Sequence, residues 1–176
     1  VPPAGLRTVD DDYIFNGSPE RYNWKLVGKK EIFAPYHTNR INDPAVKYAQ
    51  LITPNTINPE YMRYELHRMW VIEADLKEGV RHIYKKRRIY ADEDGWLAYL
   101  SESYDQQDKL WRVNWVNYYY SQESGTFHRT VSLYHNLTSG AYEATYLSNE
   151  SKDWWRINTP MKKQEFSPQA AERAGQ

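Results

Sequence analysis

The feature that most constrains this chain is a two-residue periodicity between Tyr61 and Leu76. Successive side chains of a strand point to opposite faces, so such alternation is typical of a half-buried β-strand. The alternate set is mostly charged, although it includes Met69 and Val71, and Arg68 interrupts the apolar set. The apolar set consists of Tyr64, Leu66, Trp70, Ile72, Ala74 and Leu76. We therefore predict a long strand with one apolar face.

Short segments rich in Gly, Asp, Asn and Ser divide the rest of the chain into further predicted strands. These strands are Tyr22–Pro35, Arg81–Ala91, Trp96–Tyr104, Lys109–Tyr120, Thr126–Asn136 and Ala141–Leu147. Gly28 interrupts the first of them, and we expect a bulge there. Strands joined by such short connections pair antiparallel. The sequence therefore predicts a mainly β fold with a sheet of at least six antiparallel strands, and helix only in short pieces.

The remaining segments are less regular. Tyr36–Pro59 is predicted to be a long irregular connection with a short helix near Pro44–Leu51. Tyr13–Phe15 is predicted to be a short strand. Near the end of the chain, Ser167 and Pro168 predict a helix start with Gly175 as its stop. The pair Trp154-Trp155 stands out in an otherwise polar segment.

Composition limits the classes of function. The chain has 176 residues, which we assign to a single domain over residues 1–176. Its 23 basic and 23 acidic residues cancel, so no electrostatic footprint predicts a nucleic-acid partner. There is no Cys, which excludes disulfides and thiolate chemistry. No apolar run approaches the length of a transmembrane helix, so no transmembrane segment is expected.

Motifs for metal binding and catalysis are absent from the sequence. The histidines do not show a chelating spacing, and we expect His82 to pair with Asp75 across the first hairpin. Asp92–Gly95 looks like the start of a calcium loop but lacks its downstream Glu, and a hairpin turn explains it better. Nucleophile motifs and glycine-rich phosphate loops are also missing. We therefore expect no catalytic residues, no metal and no cofactor, and we expect that the protein is not an enzyme.

The one basic cluster is Lys85–Arg88. On a strand its members point alternately to opposite faces, so the cluster is expected to split into two pairs. Cross-strand pairing with Glu73 or Glu102 is the preferred interpretation. A docking patch for an acidic partner is the alternative.

The chain contains 16 Tyr and 7 Trp, and large apolar side chains recur from one predicted strand to the next. We predict that Trp70, Ile72, Trp111 and Trp115 share one face of the sheet. This face either packs as core or lines a concave site for a hydrophobic ligand. The candidate ligand-binding residues are Tyr64, Leu66, Trp70, Ile72, Trp111, Val113 and Trp115.

Several ordered blocks of the sequence resemble a known family. They are NGSPERYNWKLVGKKE from Asn16, NPEYMRYELHRMWV from Asn58, RHIY from Arg81, DEDGW from Asp92, LWRV from Leu110, and FSP from Phe166 with RAG from Arg173. Together they resemble a family of uncharacterised Gram-negative periplasmic proteins that is grouped with the outer-membrane lipoprotein carrier and receptor superfamily. The resemblance covers nearly the whole chain but only the C-terminal part of a usual, longer member.

The resemblance implies a curved antiparallel half-barrel with a few short helices near its concave face. It also implies a periplasmic location and an association with resistance-nodulation-division exporters or outer-membrane barrel proteins. The expected function is a carrier or chaperone for lipid, lipoprotein acyl chains or another hydrophobic molecule. Two alternatives remain open: a protein-interaction module that docks through a sheet edge, and a carbohydrate-binding module.

Overall fold

The computed structural model describes residues 5–151 and 158–175, so the Trp154-Trp155 pair lies outside the described residues. One sheet of seven strands forms the body of the protein. The strands are β1 (Tyr22–Pro35), β2 (Tyr64–Leu76), β3 (Lys86–Asp92), β4 (Ala98–Tyr104), β5 (Leu110–Ser121), β6 (Thr126–Asn136) and β7 (Tyr142–Thr145). Each strand pairs antiparallel with its neighbours in sequence. The predicted antiparallel sheet is thereby confirmed.

Among the described residues, helix is confined to short pieces, as predicted. The α-helices are α1 (Tyr48–Leu51) and α2 (Pro168–Ala174), and the 3-10 turns are Val9–Asp11, Pro19–Arg21, Asn39–Asn42, Pro59–Tyr61 and Lys163–Phe166. The Ser167 hydroxyl accepts a hydrogen bond from the backbone N–H of Ala170 and so caps α2, which ends at Gly175. No helix in the described ranges is long and apolar enough to cross a membrane.

Two local features were predicted with different success. The register of β1 against β2 shifts between Leu26 and Gly28, and Gly28 has a φ of +133°, so the expected bulge is confirmed. The strand predicted from Arg81 begins only at Lys86. His82 therefore lies before the strand, and its Nε2 is 3.2 Å from Asp10 rather than beside Asp75.

The sheet is strongly curved. β1 contacts β4 and β5, although β2 and β3 lie between them in the sheet. In a flat sheet the spacing of adjacent strands would hold β1 about 19 Å from β5. The sheet must therefore curl to bring these strands together, which agrees with the expected half-barrel.

The strand register defines two faces. Residues that lie directly opposite each other in adjacent strands point to the same side of a sheet. One row runs through Val71, Tyr90, Leu100, Trp115 and Leu133. The adjacent row runs through Ile72, Ile89, Ser101, Asn114 and Tyr134. We call these sides the Trp115 face and the Asn114 face.

The connection between β1 and β2 covers part of the Trp115 face. Ile41, Leu51 and Ile57 of this connection are buried against Trp115 and Leu133. Short helical turns and the loops between them, rather than a layer of long helices, therefore supply much of the second side of the core. A residue distant in sequence bonds part of its backbone: the Asn149 side chain donates to the carbonyl oxygens of Ile41 (3.2 Å) and Asp43 (3.0 Å).

Residues 5–21, which we call the strap, cover part of the Asn114 face. Ile14 is fully buried against Ile89 and Val116. Tyr13 and Ile14 have positive φ values of 51° and 72°, so the short strand predicted there is wrong. A left-handed conformation is unusual for a β-branched residue, and the buried contacts of Ile14 hold it in this turn.

We predict that Met69→Ala lowers the free energy of unfolding by about 2–5 kcal/mol, because it removes a fully buried side chain from the Trp115 face. Leu66→Ala on the same strand is the matched control, since Leu66 is 57% exposed and its loss should cost less than about 1 kcal/mol. Denaturant titration followed by circular dichroism measures both. Equal losses would contradict the assignment of faces.

Candidate functional site

The candidate ligand-binding residues do not share one face. Trp70 and Ile72 lie on the Asn114 face, whereas Val113 and Trp115 lie on the Trp115 face. The prediction that all of them line one surface is therefore wrong. Periodicity shows which side chains of one strand point the same way, but the pairing between strands decides which sets of side chains meet.

Two of the other candidate residues, Trp111 and Leu66, belong to neither of these two groups. Trp111 lies at an irregularity in β5, where the register shifts after Arg112 pairs with Ser103. Its ring is 5.8 Å from the ring of Tyr84, so it packs beside the Asn114 face. Leu66 is exposed and is not among the residues that line the two apolar pockets described below.

The first apolar pocket, the Trp70 pocket, lies on the Asn114 face at the β1–β3 end of the sheet. It has a volume of about 310 Å³ and is lined only by apolar or aromatic residues: Leu26, Trp70, Ile72, Ala91 and Trp96. Leu26 is 61% exposed and Trp96 is 75% exposed, so the pocket opens to solvent. At its edge, the Lys29 ammonium lies 4.3 Å from the centre of the Trp70 ring and 2.5 Å from the carboxylate of Glu93.

The second apolar pocket, the Trp115 pocket, lies on the opposite side. It has a volume of about 300 Å³ and is lined by Tyr64, Leu100, Val113, Trp115, His135 and Leu137. Trp115 itself is only 8% exposed, because much of its ring packs into the core. The Tyr64 ring lies 5.9 Å from that of Trp115. Three of the candidate ligand-binding residues, Tyr64, Val113 and Trp115, therefore line this pocket.

His135 links the Trp115 pocket to the core. The Trp115 indole N–H donates to Nδ1 of His135 at 3.1 Å. An indole can only donate, so Nδ1 is unprotonated and Nε2–H donates to the Thr56 hydroxyl at 3.0 Å. Burial lowers the pKa of His135, because the imidazolium form would lose its hydration. The structure therefore favours neutral His135 with both ring nitrogens bonded.

A buried polar patch on the Asn114 face was not predicted from the sequence. It comprises Arg87, Ser101, Ser103, Arg112 and Asn114. Arg87, Ser103 and Arg112 lie directly opposite one another on β3, β4 and β5. The sequence feature that could have indicated this patch is the alternation of Arg112 and Asn114 with apolar neighbours in β5. That alternation is read most simply as a solvated face, because charged residues are rarely buried.

The strap supplies the partners of this patch. Nη1 of Arg87 donates to Asp11 at 2.7 Å. Nη1 of Arg112 donates to the Tyr84 hydroxyl at 2.8 Å, and that hydroxyl donates to Asp11 at 2.8 Å. Burial is the main cause that raises the pKa of Tyr84, so the hydroxyl stays protonated and can donate. Asp11 thereby connects the strap to both arginines, directly or through Tyr84.

The basic cluster divides as predicted. Arg88 points to the Trp115 face and pairs with Glu73 (2.5 Å) and Glu102 (3.5 Å). The hydrogen bonds that Arg88 donates to Glu73 raise the pKa of Arg88, since they stabilise its charged form. Arg87 points to the other face and is buried. The cluster is therefore used within the protein, and cross-strand pairing rather than a docking patch accounts for Arg88.

The turn predicted at Asp92–Gly95 is confirmed, because the backbone N–H of Gly95 donates to the Asp92 carboxylate at 2.6 Å. The other Asp92 oxygen lies 3.1 Å from Nδ1 of His67. Ligand-type atoms of His67, Asp92 and Asp94 lie within 4.8 Å of one another. The existing bonds of Asp92 to the turn and to His67 explain this arrangement, so we do not assign a metal to it.

We predict that the free energy of unfolding falls as the pH drops below about 6.5, the ordinary pKa of histidine. In that range the unfolded chain takes up a proton at position 135, whereas the folded protein, with its lowered pKa, does not. Below the pKa of folded His135 both states are protonated there, so the free energy of unfolding no longer falls because of this residue. Its slope is at most about 1.4 kcal/mol per pH unit.

Denaturant titrations across this pH range measure the effect. His135→Gln should flatten the pH dependence relative to the unmodified protein. Leu66→Ala, which alters no titratable group, is the control and should leave the pH dependence unchanged. Identical pH dependence in the unmodified protein and in His135→Gln would contradict the role of His135.

Comparison with known proteins finds a similar sequence and two similar structures. An uncharacterised protein of Pseudomonas aeruginosa is 40% identical over 173 residues, which cover 97% of this chain and 38% of the relative. The chain therefore spans well under half the length of that relative. A solved candidate outer-membrane lipoprotein-sorting domain from Vibrio parahaemolyticus matches with a TM-score of 0.48 and 14% identity, over 91% of this chain and 52% of that chain.

The second structure is a DUF1329 family protein from Desulfovibrio piger, with a TM-score of 0.45 and 14% identity over 86% of this chain and 47% of that chain. The decisive match is to a family model described as protein of unknown function, DUF1329, which covers residues 2–172. This match confirms that the resemblance found in the sequence is real. Because the match spans nearly the whole chain, the protein belongs to the DUF1329 family.

Proposed function

We propose that the protein is a non-catalytic carrier or chaperone that holds an acyl chain or a similar hydrophobic molecule in the Trp70 pocket. The observation that carries this proposal is the wholly apolar lining of an open pocket, with the large side chains of Leu26 and Trp96 facing solvent. Exposed apolar surface that is gathered in one place commonly marks a binding site. A bound chain would remove this surface from water.

The dimensions suit such a ligand. A volume of about 310 Å³ lies at the lower end of the range for small-molecule sites. Each methylene group that is transferred from water contributes about 0.8 kcal/mol. Several methylene groups against Trp70, Ile72 and Trp96 would therefore give measurable affinity without any polar contact in the pocket.

The lining favours an acyl chain over a sugar. A carbohydrate site needs polar groups that bind hydroxyls beside its aromatic platform, because a buried hydroxyl without a partner is costly. The residues that line the Trp70 pocket provide no carboxylate and no amide. Lys29 lies at the edge of the pocket, where an acidic head group would compete with Glu93 for its ammonium group.

Two other places fit the proposal less well. A further pocket, of about 430 Å³, is lined partly by charged residues, including Arg40, Glu60 and Arg63. The edge strand β1 carries Lys25, Lys29, Lys30 and Glu31, and charged side chains on an edge oppose pairing with another strand. A periplasmic location, and a link to an exporter or barrel protein, are parts of the proposal that rest on the sequence resemblance.

We predict that Trp96→Ala weakens the binding of parinaric acid, a fluorescent fatty acid, about tenfold. Loss of about 1.4 kcal/mol of apolar contact corresponds to that factor. Because Trp96 is largely exposed, the free energy of unfolding should change by less than about 1 kcal/mol. Fluorescence titration and denaturant titration are made on the same variant.

The matched control is Phe166→Ala, which removes an aromatic side chain that is 73% exposed and does not line the Trp70 pocket. It should leave fatty-acid binding unchanged. Tyr64→Ala tests the Trp115 pocket in the same way. Loss of binding in Tyr64→Ala but not in Trp96→Ala would show that the ligand binds on the Trp115 face instead. Absence of saturable binding by the unmodified protein would reject the carrier function.

A further inference from the structure

The buried polar patch contains more positive than negative charge. Arg87 is fully buried and pairs with Asp11, whereas Arg112 is only 4% exposed and donates to neutral groups, the Tyr84 hydroxyl and the Gly5 carbonyl at 2.6 Å. Within residues 5–151 and 158–175, no carboxylate forms an ion pair with Arg112. Buried charges are normally paired, because an isolated one loses its hydration without compensation. The patch therefore favours additional negative charge.

The same patch contains a concentration of polar atoms without hydrogen-bond partners among the described residues. These atoms are Nη2 of Arg87, the hydroxyl oxygens of Ser101 and Ser103, Nε of Arg112, and both side-chain polar atoms of Asn114. Buried polar groups are nearly always bonded. Since these residues lie on three adjacent strands, in two neighbouring rows, their unused groups are concentrated in one part of one face.

We propose that the polar patch is a binding site for a phosphate group, and that Asp11 of the strap occupies part of this site. A carboxylate brings one negative charge, which leaves one of the two guanidinium groups uncompensated. A phosphate carries a charge of about −1.5 to −2 near neutral pH and offers more acceptor oxygens. It matches two arginines together with the free N–H and hydroxyl donors better than a carboxylate does.

The strap is the element that would move. It contains two 3-10 turns and no longer regular element, and Asp11 ties it to Arg87 and Tyr84. It also holds the left-handed turn at Tyr13 and Ile14, a conformation that persists only while surrounding contacts impose it. A phosphate that displaces Asp11 would take over its hydrogen bonds and release this turn.

The experiment titrates inorganic phosphate into the protein and records binding by calorimetry, at constant ionic strength, with acetate as the monoanionic comparison. Asp11→Asn is the central variant, because it removes the competing charge and keeps the size of the side chain. We expect it to bind phosphate at least tenfold more tightly than the unmodified protein does. Acetate should bind much more weakly to both.

Arg112→Gln removes the guanidinium that lacks a charged partner in the described part of the chain, and it should abolish phosphate binding. Arg88→Gln is the matched control, since Arg88 is one residue from Arg87 but points to the opposite face and pairs with Glu73. It should bind phosphate as the unmodified protein does. Each variant covers failure of the other to fold: without Arg112→Gln, the increase in Asp11→Asn tests the proposal, and without Asp11→Asn, the loss of the unmodified protein's phosphate binding in Arg112→Gln tests it.

Hydrogen exchange provides a second readout. Phosphate should accelerate exchange of backbone amides in residues 5–21, because the strap is released, whereas a merely structural patch would leave their exchange unchanged. Absence of saturable phosphate binding in folded Asp11→Asn would overturn the proposal, and so would equal binding in folded Arg112→Gln. Fatty-acid binding in the Trp70 pocket is measured separately, so failure of one site leaves the other proposal intact.

Discussion

The register of the meander is the constraint on which the rest of this structure depends. Each strand pairs with its neighbour in sequence, so the turns between strands determine which side chains lie opposite one another. Val71, Tyr90, Leu100 and Trp115 consequently form one continuous row across four strands. A slip of one residue would exchange the two faces of a strand and bring Arg87 to the face on which Met69 is now buried. Apolar burial on one side and buried charge on the other therefore both disfavour the slip.

Because Arg87 is buried, the strap has to pack on the sheet as part of the folded core. A fully buried guanidinium requires a nearby negative charge, and Asp11 supplies it from a 3-10 turn far away in sequence. Asp12 pairs in the same way with Arg129 at 2.6 Å. These ion pairs and the burial of Ile14 fix the strap on the sheet. The strap in turn excludes water from the arginines, which strengthens their interactions with the carboxylates.

The candidate site is selected by how the single sheet is covered, not by the distribution of aromatic residues alone. The connection between β1 and β2 packs on the Trp115 face, and the strap packs on part of the Asn114 face. The β1–β3 end of the Asn114 face retains solvent-exposed apolar side chains, among them Leu26 and Trp96. That is why two pockets on opposite sides share the aromatic residues, while the one around Trp70 is the more apolar of the two.

The sequence by itself determined most of the local structure: the seven strands of the sheet, the turns between them, the bulge at Gly28 and the cap of α2 at Ser167, but not the turn at Tyr13 and Ile14. Each of these depends on neighbours in the chain, through side-chain alternation, backbone freedom or a short-range hydrogen bond. Only the tertiary structure decided that Trp70 and Trp115 lie on opposite faces and that Arg87 is buried. The reason is that these outcomes depend on pairing between strands and on a distant carboxylate, and a pattern within one strand contains neither.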